Sequence, residues 1–162
     1  MTRAPVRPAR QRKHDTLHRL EHDDHAWVAT AAPPADDDGG GDGAVPWLVP
    51  LSFVWDGATL LLATPAAGVT GRNLLAGGAV RLGIGVTTDV VMIEGTATAV
   101  HPTELPEEDA EIFAGKTGFD PRELPEPYLY FHVHPRRVQA WRTREELPDR
   151  ELMRDGTWLV AD

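Results

Sequence analysis

VPLSFVWDGATLLLATPAAGVTGRNL, residues 49–74, decides the fold. Two apolar runs flank Asp56-Gly57, a strong turn signal, so the segment predicts a hairpin. Its first arm extends back to residue 46 as PWLVPLSFVW. Trp47, Val49, Leu51, Phe53 and Trp55 alternate there with Leu48, Pro50, Ser52 and Val54, which predicts a strand with one heavily buried face. After the second arm, Thr70, Gly71, Arg72 and Asn73 lead into a helix-like LLAGG. A strand end, a short loop and a helix start leave free amide groups at the positive end of a helix dipole, which favours an anion. Thr64 and Thr70 add hydroxyl donors, Arg72 a planar charged fork and Asn73 an amide. The alternative is that Thr70 is a plain N-cap and Arg72 a solvated charge. No GxxxxGK[ST] occurs, and GGGDG at 39–43 has neither a strand before it nor a helix after it, so neither nucleotide fingerprint is present.

Outward from this hairpin, strands dominate. HDTLHRLEHDD, 14–24, predicts a short amphipathic helix and HAWVATA, 25–31, a strand. The insert 32–45, APPADDDGGGDGAV, is turn chemistry throughout and predicts an exposed acidic loop. AVRLGIGV, 79–86, puts Val80, Leu82, Ile84 and Val86 on one face and Gly83 with Gly85 on the other. VVMIEGTATAV, 90–100, follows as a strand, and 103–118 as a helix. YLYFHVH, RVQAWR and a hairpin turning at Asp155-Gly156 supply the last strands. Six to eight strands with few helices predict a barrel or a sandwich.

The chain of 162 residues is the size of one domain. Its formal charge of −9 argues against nucleic acid as the main partner. Residues 1–13 are basic without one acid and are expected as a flexible tail before a domain at 14–162. The absence of cysteine excludes disulfides and thiolate chemistry. No run approaches the eighteen or so apolar residues of a membrane span, and the basic start lacks a signal-type apolar core, so a cytoplasmic protein is expected.

HAWVAT, VPLSFVWDG, LLLAT with GRNL, VRLGI, VVMIEGTAT and a late VxAW, in that order, resemble the flavin-binding split-barrel family that includes pyridoxamine 5'-phosphate oxidase and its deazaflavin-dependent relatives. The resemblance spans about residues 14–160. It implies a mainly β chain, a six-stranded split β-barrel of Greek-key type with short connecting helices. It further implies a homodimer with a flavin-type cofactor at the subunit interface and the cofactor phosphate on the corner at 63–74. Carried over residue by residue, Thr64 matches a threonine that meets the phosphate, and Arg72-Asn73-Leu74 the helix start beyond it. Thr70 and Gly71 stand between them. Many relatives carry a lysine or arginine three residues before that asparagine, where this chain has Thr70. Val49, Pro50, Leu51 and Ser52 correspond to the strand beside the ring system. Pro50 removes one ladder donor, which suits an edge, a bulge or a ligand.

Trp141 shares a face with Arg137 and Gln139. The resemblance brings it toward the cofactor of the opposite protomer; an interface tryptophan away from the cofactor is the other reading. His14, His18 and His22 recur every fourth residue with His25 just beyond, spacing that suits either zinc or nickel or a plain polar helix face, and the latter is the expectation. His132 and His134 share a strand face, where a haem pocket, as in some haem-handling relatives, is weighed against satisfied interface histidines. No Ser-His-Asp, Cys-His or paired-carboxylate constellation is evident, so no catalytic side chain is named. The expected function is an FMN-dependent oxidoreductase acting on a small molecule, with the deazaflavin coenzyme as the alternative and haem less favoured. A non-catalytic flavin- or haem-binding protein is the rival.

Overall fold

The computed structural model describes residues 4–32 and 44–161, so the acidic insert lies largely outside the described residues. The elements run α1 (Ala9–His22), β1 (His25–Ala31), β2 (Pro46–Trp55), β3 (Leu60–Pro65), α2 (Val69–Gly77), β4 (Ala79–Val86), β5 (Asp89–Val100), α3 (Glu107–Thr117), β6 (Tyr128–Trp141), β7 (Glu151–Arg154) and β8 (Thr157–Trp158). All pairings are antiparallel. The order β3-β2-β1-β4-β5-β6 closes on itself through β3–β6, giving a six-stranded barrel with β7 and β8 appended to β6. Closure removes the free edges that an open sheet would expose.

Inward-facing positions alternate as a pleated strand requires. Ala26 and Val28 of β1, Val80, Leu82 and Ile84 of β4, Val91 and Ile93 of β5, and Phe131, Val133, Val138 and Ala140 of β6 form the main core with Phe53, Leu60 and Leu62. α2 caps one end with Leu74, and α1 covers the other with Leu20. β3 shows no alternation because both of its faces are covered. Leu60 and Leu62 point into the barrel, while Leu61 and Ala63 pack under α3 against Ala110, Phe113 and Tyr130. The uninterrupted LLLAT follows from that double burial.

The barrel is split between β2 and β3. They pair only over Phe53↔Leu62, Val54↔Leu61 and Trp55↔Leu60. Continued further, the same register would set Pro50 against Pro65, two residues without an N–H to give. The Phe53 N–H bonds the Asp24 carbonyl, so by alternation Ser52 and Pro50 turn their backbone groups toward the β3 side. The missing donor of Pro50 therefore falls at the opening of the split. β2 from Pro46 to Ser52 pairs with β1 alone, and of its expected buried face only Phe53 is buried, with Val49, Leu51 and Trp55 half-buried and Trp47 exposed, while Val54 is buried on the opposite face under α3.

Three further expectations are corrected. YLYFHVH and RVQAWR are one strand, β6, which passes Pro135 at a register shift opposite Gly95. Val86 is exposed, because β4 runs beyond the core before its turn. The basic opening segment is not a solvated tail from residue 7 onward. α1 begins at Ala9, and Arg7, Arg12 and Lys13 are buried. Arg7 pairs with Glu146, Asp15 and Asp89, each at 3.0 Å. Arg12 donates to the carbonyls of Ala140 and Asp149, and Lys13 to that of Val160. Apart from Asp15 and Asp89, these partners lie over a hundred residues away in the chain, so local charge counting could not find them.

Candidate functional site

The split opens a cleft of about 350 Å³ lined by His25, Pro50, Leu51, Ser52, Ala63, Pro65, Phe113, Phe119 and Tyr128. Three of the four β2 residues singled out from sequence line it together, whereas Val49 pairs with Val28. Its aromatic rim comes from α3 and the segment leading into β6. Phe119 and Tyr128 meet edge to face at a centroid distance of 5.5 Å. A flat, apolar ring system suits such walls.

At the end of the split, Pro65 begins the loop to α2. The N-cap of α2 is Gly68, not Thr70, and no side chain caps it among the described residues. Gly68 N–H bonds the Pro65 carbonyl and Arg72 N–H the Gly68 carbonyl, and the amides of Val69, Thr70 and Gly71 have no acceptor among the described residues. No acid stands in the first turn. This donor set, at the positive end of a helix dipole, fits a phosphate ester. Gly71 lies against the loop so closely that a Cβ would stand 2.9 Å from the Ala66 carbonyl oxygen and nearer still to that of Pro65.

The predicted side chains of the corner divide. Thr64, Thr70 and Asn73 are buried at the barrel end, where the Asn73 amide donates to the Thr30 hydroxyl at 3.1 Å. Arg72 is exposed and donates to the Ala67 carbonyl. Trp141 lines a different cleft of about 400 Å³ on the outer face of β5 and β6, with Arg81, Met92, Gln139 and Arg150. The Arg150 guanidinium lies 5.9 Å from its ring centroid, a cation–π contact within the chain. His18 and His22 stack at 4.1 Å, and no group of three among the described residues is arranged to hold a metal ion. His132 is held through Nδ1 by the Thr59 hydroxyl at 3.0 Å.

Sequence reasoning missed a polar chain at the cleft mouth. The β1–β2 register sets His25 opposite Ser52. His25 Nδ1 lies 2.7 Å from Asp24 Oδ1, and its Nε2 3.3 Å from Ser52 Oγ. A carboxylate only accepts, so Nδ1 carries a proton, and in the neutral tautomer that this selects Nε2 is the atom able to accept from the serine hydroxyl. The hydrogen bond from His25 is the main reason the Asp24 carboxyl is lowered below its ordinary range. Lys116 of α3 faces the same acids, its ammonium 5.1 Å from the Phe53 ring centroid; desolvation lowers its pKa against the opposing pull of Asp24 and Asp23. The only local signal was Asp24-His25 at a strand start. Its serine partner is 27 residues away.

Solved structures share this architecture. An F420 reductase is 19% identical, with a TM-score of 0.53 over 75% of this chain and 93% of its own. HupZ of Group A Streptococcus is also 19% identical, with a TM-score of 0.57 over 80% of this chain and 94% of its own. General Stress Protein 26 of Bacillus anthracis is 15% identical, with a TM-score of 0.54 over 78% and 91%. At these identities the likeness shows the fold. No curated protein matches the sequence. The family model of pyridoxamine 5'-phosphate oxidase, however, matches residues 14–142, which takes in the whole barrel and both sides of the split. On that match, this chain belongs to the pyridoxamine 5'-phosphate oxidase family.

Proposed function

We propose that the protein is a cytoplasmic flavin-dependent oxidoreductase acting on a small molecule, with FMN as its cofactor. The observation that carries this reading is the aromatic-rimmed split ending at three amides without acceptors, in a chain of this family. The first-turn amides of Val69, Thr70 and Gly71 would hold the phosphate, with Arg72 swinging from the Ala67 carbonyl to join them. Pro50, Leu51 and Ser52 would flank the ring, and Phe119 and Tyr128 would exclude water from it. Bound there, the cofactor supplies hydride transfer, and the chain supplies orientation and dryness. In this reading Asn73 acts beneath the site, tying the helix start to Thr30 of β1, with Thr64 and Thr70 buried beside it. The likeness to an F420 reductase supports the deazaflavin coenzyme as the alternative cofactor.

The partner in this reading is a second copy. Trp27 is 54% exposed and Leu48 59%, and with Pro50 and Met92 they leave an apolar outer face across β2, β1, β4 and β5. Patches of that kind mark association surfaces. Sedimentation is expected to give twice the 17.7 kDa chain mass, and Trp27→Asp to shift it toward the single chain. A wild-type monomer would remove the shared-interface model and the role it gives Trp141.

Titration with FMN and with the deazaflavin coenzyme, followed by fluorescence quenching, tests the cofactor directly. FMN is expected to bind, and Arg72→Ala to weaken it by about tenfold, the worth of one charge-assisted hydrogen bond. Unchanged affinity in that variant removes Arg72 from the site. Failure of both coenzymes to bind defeats the reading. Binding with no electron transfer to any acceptor would assign the site to cofactor storage instead.

A further inference from the structure

Asp24, His25 and Ser52 are arranged as acid, base and hydroxyl, and the proposed cofactor reading uses only Ser52 of the three, as a wall beside the ring. The imidazole is oriented on one side by a carboxylate and faces the hydroxyl on the other. Such an arrangement raises the nucleophilicity of serine whichever fold carries it. The 3.3 Å contact is of the loose kind that tightens when a ligand enters. Ser52 and His25 both line the cleft, and Leu51, Phe113, Phe119 and Tyr128 provide its apolar walls. By strand alternation the Ser52 backbone groups turn toward the split rather than toward β1, so its own N–H faces the side from which a carbonyl would approach.

We propose that, in the protein without a ring bound in this cleft, Ser52 is an activated nucleophile that accepts the acyl group of small, apolar carboxylic esters. Ser52 Oγ attacks the ester carbonyl carbon as its proton passes to His25 Nε2. The carbon–oxygen bond to the leaving group breaks, and the departing alkoxide takes that proton. Water, deprotonated by His25, then releases the acid and restores the serine. The sum is ester plus water to acid plus alcohol. Asp24 is a positioning residue that holds the imidazole in the required tautomer. Histidine and serine touch the reacting atoms. The cleft volume of about 350 Å³ restricts the acyl chain to short aliphatic or single-ring groups.

The full-length protein is treated with an alkyl fluorophosphonate, which stops at the covalent step, and the adduct is mapped by mass spectrometry. A single adduct on Ser52 is expected, forming at least about 100-fold more slowly in His25→Ala, the usual contribution of a general base. p-Nitrophenyl butyrate hydrolysis is expected to fall to background in Ser52→Ala. Both side chains are solvent-accessible, so the variants should melt with wild type, which circular dichroism checks. Absence of a Ser52 adduct, or equal labelling of wild type and His25→Ala, overturns the proposal. None of these readouts requires bound FMN, so they stand apart from the cofactor titration.

Discussion

Glu146→Ala is expected to cost about 3–5 kcal/mol of folding stability, the loss typical of breaking a buried ion pair from one side. The Glu146 side chain is 0% exposed. It accepts from the Arg7 backbone N–H at 2.8 Å, from Arg7 Nε at 3.2 Å and NH2 at 3.0 Å, and from the Arg142 N–H at 2.8 Å. Without it, Arg7 keeps only Asp15 and Asp89, both more exposed, and the segment before α1 loses its anchor to the loop after β6. The melting temperature should fall by roughly 10 °C. Urea unfolding followed by tryptophan fluorescence measures the loss; a change under about 1 kcal/mol would mean that the cluster behaves like an exposed pair.

Acid has a related effect. Burial alone would raise the Glu146 carboxyl, but the hydrogen bonds from Arg7 and Arg142 outweigh it and lower the pKa from 4.5 to about 2. A depressed carboxyl contributes stability that is fully present above its unfolded value and disappears as pH falls through the folded one. Wild type is therefore expected to lose about 3 kcal/mol from this group between pH 5 and pH 2. Glu146→Ala should lack that part of the acid dependence. Parallel acid titrations of the two proteins would refute the assignment.

The second large effect is expected at Gly71. Alanine there would gain about 1 kcal/mol in helix propensity. Its Cβ would have to enter between the carbonyl oxygens of Pro65 and Ala66, both backbone atoms that no side-chain rotation can clear. Overpacking of that kind costs about 1–3 kcal/mol beyond any propensity gain, and here the loop from β3 to α2 must move away from the helix start. Gly71→Ala is expected to be destabilised by about 2 kcal/mol and to bind FMN at least tenfold more weakly, because the three free amides no longer converge. Gly77→Ala, in open space on the same helix, is the control and should be neutral to stabilising. A stable Gly71→Ala variant with full affinity would show that the loop does not shape the site.

Features governed by neighbouring residues were legible in the amino-acid order. Asp56-Gly57 and Asp155-Gly156 both make their hairpin turns, with positive φ at Gly57, Asp155 and Gly156. β1, β2 and β4 match the predicted stretches because period-two alternation is a local property. The family could be read in the same way, since its signal is a succession of short motifs. The site was only half legible. Pro50 was correctly marked as unusual, but it is the register with β3, and hence Pro65, that turns a missing donor into the mouth of a cleft. Thr70 and Asn73 were marked as polar groups at a helix start. How α2 lies across β1 decides their surroundings: both are buried, and the Asn73 amide donates to Thr30 of β1.

Hydrophobic period and turn chemistry thus determined, without help, that this chain makes hairpins of a barrel or a sandwich and a strand-to-helix corner, because those preferences act over a few residues. The tertiary structure alone decided that Arg7 is a buried clamp on Glu146, that β3 closes the barrel on β6, and that His25 reaches Ser52. Each of these joins residues far apart in the chain, and the energy that fixes them comes from desolvation and register, which no local window contains.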